Sequence, residues 1–138
     1  MKNVLTLALL FVSTISMAQL EVQEHQKSKT LYKNVYNQKL EEFYHEDSTT
    51  YYAFYFRDAQ YSRIVEIKYL SFNNKDEAIQ FFKLALTTFL EDKEYSVKLD
   101  GETVFLKKKM LGTYIYKGSA YFAMTKKNLE DIILVLEQ

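Results

Sequence analysis

Apolar and polar residues alternate in several short segments of this chain, whereas two longer segments repeat apolar residues every three or four positions. Alternation is typical of a half-buried strand, and the longer spacing is typical of an amphipathic helix. Between Arg63 and Tyr69, the side chains of Val65, Ile67 and Tyr69 alternate with other residues, Glu66 and Lys68 among them. The pattern predicts a strand that turns these three residues toward the core, paired as a hairpin with the aromatic run 51–57.

The longer spacing predicts two helices, each with a recognisable start. Asn73, Asn74 and two acids open the first helix, which we expect to continue to about Asp92. Its predicted apolar stripe is Ala78, Ile79, Phe82, Ala85, Leu86, Phe89 and Leu90. Thr125 caps the second helix, whose predicted inward residues are Leu129, Ile132, Ile133 and Leu136.

Glycines mark two further hairpins in the second half of the chain. The pair Asp100-Gly101 suits the positive φ values of a tight turn, so it predicts a hairpin between strands 95–99 and 103–109. Another hairpin is predicted about Gly118, within residues 113–124.

These elements predict an α+β domain with a mainly antiparallel sheet of about six or seven strands and two helices packed on one face. Neither proline nor a glycine-rich linker marks a domain boundary, and no internal repeat is visible. Residues 19–50 leave two alternatives open. Leu31, Val35 and Leu40 belong to a series with helical spacing, while the tyrosines and asparagines of this segment suit short strands joined by a turn.

The first 18 residues have the order of charge and hydrophobicity that is typical of a secretory signal peptide. Lys2 precedes an apolar run from Val4 to Val12, and Ser16 and Ala18 place small side chains at the −3 and −1 positions of a cleavage site. The alternatives are a retained membrane anchor and a buried helix, and the run is short for an anchor. We expect cleavage, no stable membrane insertion afterwards, and a periplasmic or secreted single domain, residues 19–138, with 17 basic and 18 acidic side chains.

Composition excludes several kinds of chemistry. The chain has no cysteine, which rules out disulfides, thiolate metal sites and a cysteine nucleophile. Only His25 and His45 are present, and no serine-nucleophile, zinc-protease or phosphate-loop motif occurs. The balance of 18 basic and 18 acidic residues argues against a nucleic-acid partner. We therefore predict no catalytic residue, metal ligand or cofactor.

Tyrosine is the most unusual feature of the composition, at 12 residues, most of them in or beside predicted strands. Tyr114 and Tyr116 share one side of a strand, and an inward Ile115 places both on the outer surface. Tyr51 and Tyr55 share a side of an earlier strand. Such rings predict a binding surface for a protein or an envelope glycan, because tyrosine combines apolar area with a polar tip. The alternative is aromatic packing between strands, since tyrosine is a good strand residue.

Lysines gather between Lys93 and Lys127, a segment with 8 basic residues and 3 acids. Lys107, Lys109 and Lys117 are predicted to form a patch that suits an anionic surface. The alternative, which the balanced charge of the whole chain favours, is that they lie on an edge strand and prevent aggregation between sheets.

Together these features predict an exported, non-enzymatic domain that uses an aromatic sheet surface for binding. A second hypothesis is a carrier of a small hydrophobic ligand, held between sheet and helices by Phe54, Phe56, Phe82 and Phe89. A third is an enzyme whose site is assembled by the fold, with Glu66 or His45 as its base.

Overall fold

The computed structural model describes residues 27–61, 63 and 65–138. Within these residues the chain forms eight strands and two helices. In chain order they are β1 (Ser28–Lys33), β2 (Lys39–Tyr44), β3 (Thr50–Arg57), β4 (Ile67–Phe72), α1 (Lys75–Glu91), β5 (Tyr95–Leu99), β6 (Glu102–Lys109), β7 (Gly112–Lys117), β8 (Ala120–Thr125) and α2 (Lys126–Leu136). The predicted signal peptide and its cleavage site lie outside the described residues.

The described strands form two antiparallel sheets of four, in the orders β1-β2-β3-β4 and β5-β6-β7-β8. The predicted α+β class and the antiparallel pairing are confirmed, but the single sheet of six or seven strands is wrong. Helix α1 separates β4 from β5, and the chain then begins a new meander instead of extending the first one. Each sheet is followed by one helix, so the two halves repeat one order of elements without a visible repeat in sequence.

Aromatic rings join the two halves in one core. Phe54 of β3 lies 5.3 Å from Phe82 of α1 and 5.4 Å from Phe122 of β8, measured between ring centroids. Phe56 stacks on Phe122 at 4.2 Å, and all four side chains are buried. The two helices also pack against each other, so each sheet depends on the other half of the chain for its burial.

The segment before residue 50, left open between helix and strands, forms strands in its described part. Asn34 organises the turn between β1 and β2, because its side-chain oxygen accepts hydrogen bonds from the backbone N–H of Tyr36 (2.9 Å) and of Gln38 (3.3 Å). Asn37 has a φ of 59°, in the left-handed region that asparagine tolerates. Local asparagine chemistry therefore decides this turn.

The predicted inward face of β4 is wrong. Val65, Ile67 and Tyr69 are exposed, whereas Leu70 and Phe72 are buried. Both faces of this segment carry apolar side chains, so alternation alone does not identify the core side. The strand begins at Ile67 and continues to Phe72, and packing selects the face that adds Leu70 and Phe72 to the core.

Both helices begin as predicted. The Asn74 side chain accepts a hydrogen bond from Glu77 N–H (2.8 Å), and Thr125 accepts one from Asn128 N–H (3.2 Å). All four predicted inward residues of α2 are buried. In α1 the stripe is corrected at two positions, because Phe81 is buried and Leu90 is exposed.

The outer edge of β8 has no neighbouring strand among the described residues, and its backbone groups bond instead to residues just after β3 and just before β2. Asp58 accepts a hydrogen bond from Tyr121 N–H (3.2 Å), and Ala59 N–H donates to the Tyr121 carbonyl (2.8 Å). The Gln38 side chain donates to the carbonyl of Ala123 (2.8 Å). Asp58 and Gln38 are both buried. These bonds satisfy backbone groups that an unpaired edge would leave without partners.

Candidate functional site

The outer face of the second sheet carries tyrosines because the inner face takes the aliphatic and phenylalanine side chains. Ile115 and Phe122 are buried beneath the sheet. Alternation then places Tyr114 and Tyr116 of β7, and Tyr121 of β8, on the opposite side. We call these three residues the tyrosine cluster. Ile115 is inward, which is the condition on which the outward placement of Tyr114 and Tyr116 depends.

The three rings of the tyrosine cluster contact one another. Tyr114 and Tyr121 are nearly parallel, with an interplanar angle of 15° and ring centroids 6.0 Å apart. Tyr116 lies 5.5 Å from Tyr121 and 6.4 Å from Tyr114. All three side chains are half-buried, so each keeps part of its ring accessible. The result is one aromatic surface rather than three separate rings.

Lys109 lies over this surface. Its ammonium nitrogen is 5.0 Å from the ring centroid of Tyr114 and 5.8 Å from that of Tyr116, within the range of cation–π attraction. The hydrogen bond with Tyr116 raises the pKa of Lys109. Lys107 lies opposite Tyr114 in the β6–β7 register and forms an ion pair with Glu94 (3.2 Å).

Apolar side chains border the tyrosine cluster. Phe105 lies opposite Tyr116 in the β6–β7 register and is 55% exposed. At the β6–β7 turn, Met110 is 94% exposed and Leu111 is 81% exposed. The surface around the cluster therefore combines aromatic, aliphatic and cationic groups.

Lys117, predicted to share a patch with Lys107 and Lys109, lies elsewhere. It belongs to the side of β7 opposite Tyr116 and forms an ion pair with Glu102 (3.4 Å). Its ammonium also donates to the Tyr69 carbonyl (2.7 Å) and lies 4.9 Å from the Tyr69 ring centroid. Lys117 thus links the second sheet to β4 of the first.

Lys117 does not lie on an edge, because β7 has a hydrogen-bonded strand on both sides. Lys107 and Lys109 lie beyond the end of β5, whose pairing with β6 stops at Leu106. In the described part of the chain, this part of β6 is therefore open on one side, and edge protection is a reason for lysine there.

Tyr51 and Tyr55 lie on the first sheet, in two separate aromatic groups. The Tyr55 ring lies 6.1 Å from that of Tyr69, and the Lys39 ammonium is 5.3 Å from the Tyr55 centroid. The Tyr51 ring stacks on the Phe43 ring with centroids 4.9 Å apart, and the centroid of the His45 ring lies 4.8 Å from that of Tyr51. The structure therefore brings Tyr114, Tyr116 and Lys109 together and leaves the two earlier tyrosines apart from them.

Sequence reasoning left Tyr121 out of the predicted surface. The signal was present, because Tyr121 and Ala123 alternate with the buried Phe122 and Met124. The register adds what the sequence lacks, since Tyr121 pairs with Tyr116 across the two strands.

A groove of about 490 Å³ opens where the two sheets meet. It is lined by Val35, Tyr36, Asn37, Gln38, Arg57, Ala59, Phe122, Ala123 and Thr125. No carboxylate is among these lining residues, so the groove lacks the paired acids of an acid–base site.

Tyr52, whose pKa departs far from its ordinary value, is not among the residues that line this groove. Burial and the hydrogen bond to Glu42 raise the pKa of Tyr52 to about 12. Burial acts to raise the pKa of Glu42, but hydrogen bonds from Tyr44 and Tyr52 outweigh it and the pKa is lowered.

Among residues 27–61, 63 and 65–138, no group of three His, Asp or Glu side chains is placed to hold a metal ion. In the same residues, neither helix has the length and apolar character needed to cross a bilayer.

We compared the chain with protein-family models, curated proteins and solved structures, and none of them matches it.

Proposed function

We propose that this protein is an exported, non-enzymatic binding module that holds a protein partner through the tyrosine cluster. The observation that carries the proposal is the joint surface of Tyr114, Tyr116 and Tyr121, whose ring centroids lie 5.5 to 6.4 Å apart with Lys109 over two of them. Tyrosine is enriched among the residues that dominate binding energy at protein interfaces.

The cluster is ordered before any partner arrives. Each ring rests on its neighbours, and the antiparallel pairing of β7 with β8 fixes the distance between Tyr116 and Tyr121. Side chains that are already held in place lose little conformational entropy on binding. This preorganisation supports a role in recognition.

A protein partner suits the border of the cluster better than a glycan does. The exposed ring of Phe105 and the exposed Met110 and Leu111 add apolar area without hydrogen-bonding groups. A sugar needs several placed polar groups to fix its hydroxyls, whereas a protein interface needs a central apolar patch with a polar rim. Lys107 and Lys109 favour a partner whose rim is acidic.

The packing of the core supports a binding surface over a ligand carrier. Phe54, Phe56 and Phe82 are fully buried and fill the space between sheets and helices with ring-to-ring contacts. Phe89, the fourth predicted pocket residue, is half-buried with the Lys108 ammonium 4.9 Å from its ring centroid.

The test is a double variant, Tyr114→Ser with Tyr116→Ser, compared with Tyr36→Ser as a matched loss of an exposed tyrosine. The immobilised proteins are exposed to an envelope extract of the host, and captured proteins are identified by mass spectrometry. We expect one specific protein to bind the wild type and Tyr36→Ser, and the double variant to bind it at least about 30-fold more weakly, as loss of a 2 kcal/mol hot spot implies.

Equal capture by the double variant contradicts the proposal, provided that its melting temperature matches the wild type. A glycan array read with the same three proteins separates the two partner classes. Binding to a glycan that depends on Tyr114 and Tyr116, without protein capture, replaces the protein partner with a glycan.

Export is tested separately by the mass of the protein purified from its host. A product that begins at Gln19 supports signal cleavage and release. A product that retains Met1 contradicts it.

A further inference from the structure

The β6–β7 turn presents two apolar side chains to solvent at the end of the second sheet. Met110 is 94% exposed and Leu111 is 81% exposed. Met110 also has a φ of 32°, a backbone conformation in which asparagine or glycine is the usual choice. Turns of this kind normally carry polar residues, so neither burial nor turn geometry explains these two.

Lysines surround this turn from two directions. The run Lys107–Lys109 leads into it at the end of β6. Gly112 pairs with Thr125 across the β7–β8 ladder, which brings the start of α2, with Lys126 and Lys127, to the same end of the sheet. We call Met110, Leu111 and these five lysines the basic tip.

Most of the positive charge of the basic tip is not neutralised within the described residues. Lys107 is paired with Glu94 (3.2 Å) and Lys126 with Glu130 (3.7 Å). Lys108 and Lys109 lie over aromatic rings instead of carboxylates. The basic tip therefore remains cationic at neutral pH.

Folding provides no reason for the lysines of α2. Positive charges in the first turn of a helix oppose its dipole, and α2 has no acid in that turn. Edge protection is a reason for lysine only where β6 extends past β5, from Lys107 onward, and not at the start of a helix. An external anionic surface accounts for both sets of lysines at once.

We infer that the basic tip docks on the surface of a bilayer rich in anionic phospholipids. Met110 and Leu111 enter the boundary between headgroups and acyl chains, and the surrounding lysines bind lipid phosphates while their apolar stems follow the two side chains inward. Charge attraction to anionic lipid and burial of a small apolar surface then act together, as in other peripheral membrane contacts.

The geometry favours lipid over an acidic protein. The apolar part of the basic tip is two adjacent side chains on a protruding turn, far less than the roughly 800 Å² per partner that a stable protein interface buries. A fluid surface needs no matching pocket, and mobile lipid phosphates can gather around flexible lysines. This inference shares Met110, Leu111, Lys107 and Lys109 with the border of the tyrosine cluster, but it does not use the three rings.

The test is cosedimentation of the protein, purified in the form in which its host releases it, with vesicles of phosphatidylglycerol and phosphatidylcholine, 30:70, and with phosphatidylcholine alone. We expect binding to the anionic vesicles in 50 mM salt, little binding to neutral ones, and a marked loss of binding in 500 mM salt. Binding that is equal on both vesicles, or absent from the anionic ones, overturns the inference.

Two double variants measure separately how much the apolar residues and the lysines of the basic tip contribute to vesicle binding. Met110→Asn with Leu111→Ser should weaken binding at least tenfold without harm to folding, because Asn suits the backbone at position 110. Lys126→Ser with Lys127→Ser should weaken it about 30-fold, at roughly fivefold per lysine. Lys98→Ser, an exposed lysine near the opposite end of the sheet, is the control and should bind as the wild type.

The Tyr114→Ser, Tyr116→Ser variant distinguishes this inference from the proposed function. Here it should bind anionic vesicles within about twofold of the wild type, whatever its effect on partner capture. Vesicle binding by the Met110/Leu111 variant at wild-type strength, with an unchanged melting temperature, overturns the inference. Attachment to a soluble acidic protein through the basic tip, with no vesicle binding, also overturns it.

Discussion

The carboxylate of Asp58, immediately after β3, accepts a hydrogen bond from the backbone N–H of Tyr121 in β8 (3.2 Å). The same oxygen accepts a hydrogen bond from the backbone N–H of Gln60 (3.0 Å), and only 1% of Asp58 is exposed to solvent. One buried acid thus lies at the end of β3 and closes the edge of the second sheet. It also holds in place the strand that carries the third ring of the tyrosine cluster.

Asp58→Ala is expected to destabilise the protein by about 2–4 kcal/mol, because it leaves two backbone donors without an acceptor. Asp58→Asn keeps an oxygen at this position and should cost less. Urea denaturation monitored by circular dichroism measures both, with Glu46→Ala in an exposed turn as the control. A loss for Asp58→Ala no larger than that of the control contradicts the role of this bond.

Gly112→Ala is expected to destabilise the hairpin end of β7 for a steric reason. A Cβ atom added at this position would overlap the backbone carbonyl oxygen of Met124. We expect a loss of at least about 1–3 kcal/mol, typical of overpacking, measured as the free energy of unfolding in urea. Gly118→Asn is the comparison, because no atom lies within 4 Å there and asparagine tolerates its φ of 61°. Equal losses at the two positions contradict the steric explanation.

Phe122→Ala is expected to cost about 3–5 kcal/mol, a large part of the stability of a domain of this size. Phe122 packs on Phe54 and Phe56 of the other sheet, and its removal opens a cavity between the halves. Phe105→Ala removes the same side chain from an exposed position and should cost under about 0.5 kcal/mol. If Phe122→Leu and Phe122→Ala both lower the free energy of unfolding no more than Phe105→Ala does, the contacts of Phe122 do not hold the two sheets together.

Tyr52 is expected to make the free energy of unfolding fall steeply at alkaline pH. Burial, with the hydrogen bond to Glu42, raises its pKa in the folded protein from 10.0 to about 12. The unfolded chain therefore loses this proton first as pH rises. The stabilisation is fully present below pH 10.0 and is lost as pH rises through about 12.

Urea denaturation between pH 8 and pH 12 measures this effect in the wild type and in Tyr52→Phe. The variant should start less stable, because it lacks the hydrogen bond to Glu42, and should lose less stability as pH rises. Tyr36→Phe removes an exposed phenol and serves as the control. Parallel pH curves for the wild type and Tyr52→Phe contradict the prediction.

Sequence reasoning located the second half of the fold more accurately than the first. The Asp100-Gly101 turn forms with φ values of 51° and 78°, as its chemistry predicts, and β5 has the predicted bounds. In β4 the predicted inward face is wrong, because the outer face also carries large, mostly apolar side chains, Ile67 and Tyr69. Where both sides of a strand are apolar, only contact with the rest of the molecule selects one.

The candidate site was predictable in part. The outward placement of Tyr114 and Tyr116 follows from the alternation around Ile115, which is a local property. The presence of Tyr121 beside them does not, because it depends on strand register. The absence of Lys117 does follow locally, since Lys117 shares the side of β7 that holds Ile115. The basic tip likewise depends on the β7–β8 pairing, which brings residues far apart in sequence to one end of the sheet.

The order of amino acids on its own determines the two helices, the turns at Asp100-Gly101 and Gly118, and the antiparallel α+β class, because capping, turn chemistry and hydrophobic spacing act over a few residues. The division into two sheets, the aromatic core between them and the closure of β8 by Asp58 were decided only by the folded chain. These features join positions many residues apart, such as Asp58 and Tyr121, and which distant groups meet depends on how the whole core packs.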